Sequence, residues 1–382
     1  MIFFKLYLKI VNSPAVKDFI YFCNGNFRER FVLPEMLSIY LEKNFKDKIF
    51  RLGNSFLGKP IYMLRLGKGR IKILAWSQMH GNESNATLAM LDFLESYNKN
   101  PAHFSRLFDK ISLDFIFMLN PDGSAKWTRH NGQGIDLNRD FHSRESVELP
   151  LLLKSVEDKK YTYALNLHEQ RSIFSTDGVH PATLSFLAPS ENLEREITDT
   201  RRKCMAVIAE VYRNMENLLP NGIGRYTDEY YPNSVGDNFT AMGIPTVLFE
   251  GGHFPNDYLR KNSRKFYTIA LYECLTAIAK LNGSEEGWED YFKIPENKES
   301  HFDIIYRNVT LETDFPCKMD IAVHYREIIR EGESEISFVP IVVRAGDCSD
   351  KKGWQEIDCT GKKFISESKF PKLDAEVNFK IE

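Results

Sequence analysis

Between about residue 48 and residue 282 the chain alternates short apolar runs with amphipathic stretches, and no other feature restricts its fold as strongly. Residues 71–76 (IKILAW), 111–119 (ISLDFIFML), 161–167 (YTYALNL) and 246–249 (TVLF) each read as a buried strand. Between them, residues 86–97 carry Leu88, Leu91 and Leu94 on one helical face. Residues 192–219 are rich in Glu, Arg, Met and Ala, and 266–281 are again amphipathic. A strand that returns through a helix pairs in parallel with its predecessor, and the helices then cover the sheet. The expectation is an α/β domain with a largely parallel, covered sheet.

Residues 282–300 break this pattern: Gly283, Gly287 and Pro295 sit in an acidic stretch with little apolar periodicity. Beyond it the period switches to two, over 319–326 (MDIAVHYR), 336–344 (ISFVPIVVR) and 375–382 (AEVNFKIE). Pro340 cannot donate to a ladder and marks its run as an edge strand. The expected division is therefore a domain over 1–282, a linker over 283–300 and a small antiparallel β domain over 301–382.

The formal net charge of −3 offers no electrostatic footprint for nucleic acid. No run of about 18 apolar residues occurs, which argues against a membrane span. The 28 Phe and 17 Tyr are enough to build a sizeable core, so wholesale disorder is excluded. In residues 1–10 (MIFFKLYLKI) the apolar stretch is interrupted by Lys5 and Lys9, with Pro14 and Lys17 following. It reads as a strand or short helix of the folded chain and not as a signal peptide, which points to the cytoplasm. The cysteines Cys23, Cys204, Cys274, Cys317, Cys348 and Cys359 form no CxxC pair and are expected as buried free thiols. Export would instead permit a Cys348–Cys359 disulfide.

Four groups of residues carry chemistry. His80-Gly81-Asn82-Glu83 follows the strand at 71–76, and an imidazole and a carboxylate three residues apart can close on one zinc ion. Asn120-Pro121-Asp122-Gly123 follows the next strand, and Arg129, His130, Asn131 and 134–141 (GIDLNRDF) come after it. His168 ends the run at 161–167. Glu250 follows 246–249 and precedes Gly251-Gly252-His253. A lone HxxE arises often by chance, NPDG alone is a turn, and a lone histidine is more often structural. All four groups nonetheless fall at the C-terminal ends of predicted strands, the edge where open α/β sheets bind ligands.

The ordered set HGNE, NPDG, R-x-N-x-x-G-x-DLNR-x-F, LH and FE resembles the M14 family of zinc metallocarboxypeptidases, typified by carboxypeptidase A. The resemblance covers about residues 45–282 and leaves the β-rich tail unaccounted for. It implies an α/β/α sandwich around a mixed, mostly parallel eight-stranded sheet, and one zinc ion per chain. His80, Glu83 and His168 match the metal ligands, and Asp136 matches the acidic residue that orients the first histidine. Glu250 matches the general base, Arg129 the arginine that holds the developing oxyanion, and Asn138 with Arg139 the pair that grips a substrate's terminal carboxylate. For the tyrosine that closes over substrate, Tyr230 and Tyr231 both qualify and Tyr231 is preferred. The short spacing from Arg129 to Asn138 is closer to the regulatory and bacterial branches. Gly251-Gly252-His253 after the base leaves the preferred side chain open. The implied activity is hydrolysis of the C-terminal peptide bond of a substrate with a free carboxylate.

HGNE, DLNR and a glutamate followed by glycine also resemble the succinylglutamate desuccinylase and aspartoacylase branch, which deacylates N-acyl amino acids. NPDG with DLNR resembles the murein peptide amidases as well. A pseudoenzyme that only binds would be expected to lack Glu250 or a ligand, and each is present. The tail could serve as a lid, a dimerisation surface or a passive folding partner. Substrate and oligomeric state are not legible at this stage.

Overall fold

The computed structural model describes residues 19–313 and 316–382; the element expected over residues 1–10 lies outside them. Its centre is an eight-stranded sheet formed by β1 (Ile49–Asn54), β2 (Pro60–Gly67), β3 (Ile71–Ser77), β4 (Ile111–Phe117), β5 (Tyr163–Glu169), β7 (Leu184–Leu187), β8 (Ile223–Arg225) and β9 (Thr246–Gly251), with the two-residue β6 (Phe174–Ser175) outside it. The order is β1-β2-β4-β3-β5-β9-β7-β8. The inner strands β4, β3, β5 and β9 run parallel. β2 is antiparallel to β4 and to β1, and β7 is antiparallel to β9. This is the mixed carboxypeptidase-like sheet that the motifs imply.

Alternation along the strands divides the core in two. Ile73 and Ala75 of β3 and Leu64 and Leu66 of β2 join one cluster with α1 (Pro34–Phe45), α2 (Asn85–Lys99) and α3 (Pro101–Lys110). Leu74, Trp76, Ile61 and Met63 point the other way. They meet Leu149 and Leu152 of α5 (Glu148–Asp158), while α4 (Pro121–Lys126) opens the loop beyond β4. α6 (Asp199–Met215) and α8 (Lys261–Leu281) complete the first face, and Val235 and Phe239 of α7 (Val235–Ala241) complete the second.

Two helix boundaries differ from the periodicity because side-chain caps set them. The stretch expected to be helical from 192 begins only at Asp199, where Thr198 is extended and its hydroxyl accepts the Arg201 N–H. α8 starts earlier than 266, since the Asp257 carboxylate accepts the N–H groups of Lys261, Asn262 and Ser263.

Residues 283–300, expected as a linker, are built into the fold. Tyr291 and Ile294 are buried in the main core, and β10 (Lys298–Glu299) pairs with β6. A second sheet follows, of β11 (His301–Leu311), β12 (Cys317–Ile328), β13 (Ser337–Gly346) and β14 (Lys352–Asp358), in the order β13-β12-β11-β14. It is mixed where an antiparallel sheet was expected. After edge strand β13 the chain crosses to the far side, so that β14 runs parallel to β11. Residues 375–382 do not form the expected continuous strand. Val342 N–H bonds Ala375 and Val377 N–H bonds Pro340, but Pro340 has no N–H to return, and only an isolated bridge and the short β16 (Lys380–Ile381), paired with β15 (Phe364–Ile365), form there.

All six cysteines are free; Cys23 and Cys317 are exposed, contrary to the expected burial. Cys348 and Cys359 are buried in separate apolar clusters. No helix among the described residues is long and apolar enough to cross a membrane.

Candidate metal centre and active site

The parallel strands end at one edge, and the loops leaving them carry the site. Beyond β3 the backbone turns at Gln78, whose φ is +48°, and His80 and Glu83 follow on a tight turn closed by Glu83 N–H to His80 C=O. A Cβ on Gly81 would lie 2.1 Å from the Gly123 carbonyl carbon. The HGNE turn thus rests directly on the backbone of the NPDG segment, and glycine is required for that approach. NPDG itself is structural. Asn120 caps α4 by accepting the Gly123 N–H and donates to the Arg129 and Met79 carbonyls, while Asp122 accepts from Ser55 and the Leu57 N–H.

His80, Glu83 and His168 converge, with one ligand atom from each lying within 4.8 Å of the others. The Glu83 carboxylate bridges the two rings, Oε1 at 2.7 Å from His80 Nδ1 and Oε2 at 2.9 Å from His168 Nδ1. Side-chain exposure is only 3% for each histidine and 13% for Glu83. His80 Nε2 meets Asp136 Oδ1 at 3.2 Å, and Arg129 Nη1 faces His80 Nδ1 at 3.2 Å. Burial lowers the His80 pKa, but the Glu83 carboxylate at one ring nitrogen and the Asp136 carboxylate at the other outweigh it and raise it. Burial lowers the His168 pKa more than Glu83 raises it, which keeps this ring neutral. Two imidazoles and a carboxylate that converge in a buried pocket fit the donor set and open fourth position of a catalytic zinc site.

The register of β5 and β9 pairs His168 with Glu250, so both side chains stand on the same face of neighbouring strands. Glu250 Oε2 is buried with no hydrogen-bond partner. Burial, then the negative charges of Glu83 and Glu169, push its pKa well above the usual carboxylate range, and Arg129 opposes them.

Asp136 joins several parts. It takes the Asn138 N–H on Oδ1 at 2.9 Å and Arg129 Nε on Oδ2 at 2.9 Å, in addition to His80. Asn138 is buried, with its Oδ1 accepting the Val235 N–H at the start of α7. The adjacent Arg139 is exposed, and its guanidinium lies 5.2 Å from the centre of the Tyr231 ring. The Tyr231 hydroxyl donates to Glu229 at 2.9 Å. Tyr231 therefore stands with Asn138 and Arg139. His253, by contrast, is buried between Tyr258 and Trp354, in the contact with the second sheet.

Residues 40–173 match the peptidase M14 family, described as zinc carboxypeptidase. Over that span the chain is similar to the M14 zinc carboxypeptidases. The matched span includes His80, Glu83, Arg129, Asp136, Asn138, Arg139 and His168, while Tyr231 and Glu250 lie beyond it. Carboxypeptidase E of Caenorhabditis elegans is 25% identical over 146 residues, which are 32% of this chain and 30% of that protein. Carboxypeptidase SOL1 of Arabidopsis thaliana is 22% identical over 223 residues, 49% of this chain and 44% of that protein. The chain thus spans less than half the length of these curated relatives. Among solved structures, carboxypeptidase A from Helicoverpa armigera superposes with a TM-score of 0.52 at 15% identity, over 73% of this chain and 81% of its own. Metallo-carboxypeptidase from Burkholderia cenocepacia gives 0.51 at 15%, over 64% and 68%. These likenesses show a carboxypeptidase-like fold.

The motifs do not reveal a second tier of residues behind the ligands. Glu169 follows His168 directly and is 8% exposed. It forms a close ion pair with Arg30, a second ion pair with Arg260 Nε at 3.4 Å, and accepts the Asn85 N–H. Arg30 also reaches Glu327 of β12 at 2.6 Å, and Trp127 Nε1 donates to the same carboxylate. The second sheet is thereby fastened to the rim of the site. Glu169 was visible as the neighbour of a ligand; its partners lie far away in the chain, where no local pattern marks them.

Proposed function

We infer that this chain is a zinc-dependent carboxypeptidase that hydrolyses the C-terminal peptide bond of a peptide. The observation that carries this reading is the placement of Glu250 beside a buried His80–Glu83–His168 cluster, with Arg129 on the cluster and an exposed Arg139 nearby. Zinc held by His80, Glu83 and His168 would supply a Lewis acid and lower the pKa of a water molecule towards neutrality.

Arg139 and Asn138 hold the substrate's terminal carboxylate, Arg139 with its two-pronged donor set and Asn138 with its NH₂, whose oxygen is already engaged by Val235. Tyr231, stacked on Arg139, closes over the bound residue. Arg129 is set by Asp136 and donates to the scissile carbonyl oxygen as negative charge grows there. Glu250 takes the proton of the attacking water on its free Oε2 and delivers it to the departing amine. That oxygen has no other hydrogen-bond partner, so it is free to take the proton and to give it up again.

The experiment is a mass-spectrometric digest of peptides with varied C-termini, a murein tripeptide and N-acyl amino acids, using zinc-loaded protein. Stepwise loss of single C-terminal residues is the expected result. Cleavage confined to the acyl amino acids or the murein peptide would overturn the peptidase assignment. Arg139→Ala is expected to abolish the preference for free-acid over C-terminally amidated peptides, read as the ratio of their kcat/KM values. A wild type that cleaves both equally well removes Arg139 from recognition. Asp136→Asn is expected to weaken zinc binding by about 10–100-fold, measured by chelator competition, because it unties His80 and Arg129 together.

A further inference from the structure

A cavity of about 570 Å³ opens from the metal centre towards the second sheet, within the range typical of ligand pockets. Glu83 and Arg129 stand at the metal centre, and Arg326 of β12 with Ile341 and Val343 of β13 form the opposite wall. None of Asn138, Arg139 and Tyr231 lines it. In a peptide with its terminal carboxylate at Arg139 and its scissile carbonyl at Arg129, the part still to be placed is the chain on the N-terminal side of that bond. This cavity adjoins Arg129 and is where that part fits.

Its charges are unevenly paired. Arg30 and Arg260 are offset by Glu169 and Glu327, and Asp303 is held by His324, Ser172 and Tyr258. Arg171 and Arg326 are exposed and form no ion pair among the described residues, and Asp374 is the acidic side chain of the lining with none. Arg260 is 4% exposed, yet its Nη1 is buried without a hydrogen-bond partner. A buried guanidinium N–H left open costs free energy that an incoming acceptor would relieve. Asn82 Oδ1, beside Glu83, is likewise buried and unpartnered, and would accept a substrate N–H.

We propose that the cavity is an acyl-side subsite for an acidic peptide, in which Arg171, in the loop after β5, and Arg326 of the second sheet, with Arg260 behind them, bind a carboxylate side chain upstream of the scissile bond. This rests on the carboxypeptidase reading for the direction of the substrate, and it gives the second sheet, through Arg326, a share in selecting substrates. Asp374 sets the limit of the preference by repelling a further negative charge.

The test is calorimetric binding to Glu250→Gln protein, which holds substrate without turning it over. Two peptides are compared, identical except for two Glu or two Gln immediately upstream of the C-terminal residue. The Glu peptide is expected to bind about tenfold tighter, as one charge-assisted hydrogen bond supplies, and the advantage should shrink in 0.5 M salt. Arg326→Gln and Arg171→Gln should each remove most of it, Arg326→Glu should reverse it, and Asp374→Asn should enlarge it. These side chains are exposed, so folding is expected to survive. Equal affinity of the two peptides, or no binding of either, overturns the subsite. The digest separates the two claims. Release of C-terminal residues with no Glu preference leaves the carboxypeptidase standing without the subsite. Preferential binding of the Glu peptide with no residue released does the reverse.

Discussion

Glu250→Gln is expected to lower kcat/KM on a peptide substrate by about 10²–10⁴-fold while zinc content stays at one per chain. Glu250 is not among the three converging ligands, and its β9 position beside His168 places an unpartnered Oε2 next to them. Removing its basicity removes proton transfer and leaves the donor set whole. The same change should stabilise the metal-free protein. Burial and the neighbouring Glu83 and Glu169 raise the carboxyl's pKa in the folded state, so folding takes up a proton between the unfolded and folded pKa values. Stability is thus lost as pH rises through that window, and the neutral amide is spared the loss. In thermal melts of the metal-free proteins the variant should exceed wild type at pH 8, by about 1 °C per kcal/mol relieved, and the gap should close below about pH 4.5, where the wild-type carboxyl is protonated in both states. A variant with near-wild-type turnover would remove Glu250 from the mechanism. A gap that does not change with pH would show that its charge costs the fold nothing.

The ligand positions were legible because each stands where a buried apolar run stops. A strand buried on both faces announces itself by composition, and its end fixes an edge of the sheet. The pattern of strands therefore places His80, Glu83, His168 and Glu250 on one edge of the sheet. Helix boundaries were less visible, since the caps at Thr198 and Asp257 are single side chains whose effect depends on the backbone they meet. The second sheet was visible as alternation, but a period of two says only which residues share a face. It does not say which edge the next strand joins, and β14 beside β11 was beyond its reach. The burial of Tyr291 and Ile294 was hidden too, because an acidic segment needs only two apolar anchors to lie on a core. Least legible was the charged wall behind the site. Arg30, Glu169, Arg260 and Glu327 come from four separate segments, and only the folded chain brings them into contact.

That wall yields the second large effect: Arg30→Met is expected to destabilise the protein by about 3–5 kcal/mol, the usual cost of removing one partner from a buried ion-pair network. Arg30 is 4% exposed and bonds Glu169, Glu327 and the Tyr258 carbonyl, with its guanidinium 5.4 Å from the Trp127 ring centre. Methionine keeps much of the apolar stem but leaves Glu169 with Arg260 alone. Burial already raises the Glu169 pKa, and Arg30 is the foremost charge pulling it back down. Without Arg30 the folded-state pKa climbs further above the unfolded one, so the variant takes up more proton on folding and loses more stability as pH rises. Urea unfolding at pH 5 and pH 8 should therefore show the larger deficit at pH 8. A deficit below about 1 kcal/mol, or one larger at pH 5, would count against a network that depends on charge. The consequence should reach the metal centre, because Glu169 N–H donates to Glu83 Oε2 and Glu169 adjoins His168. Weaker zinc retention in Arg30→Met, at a pH where the protein is still folded, would show that the same contacts fasten the second sheet and hold the ligands in place.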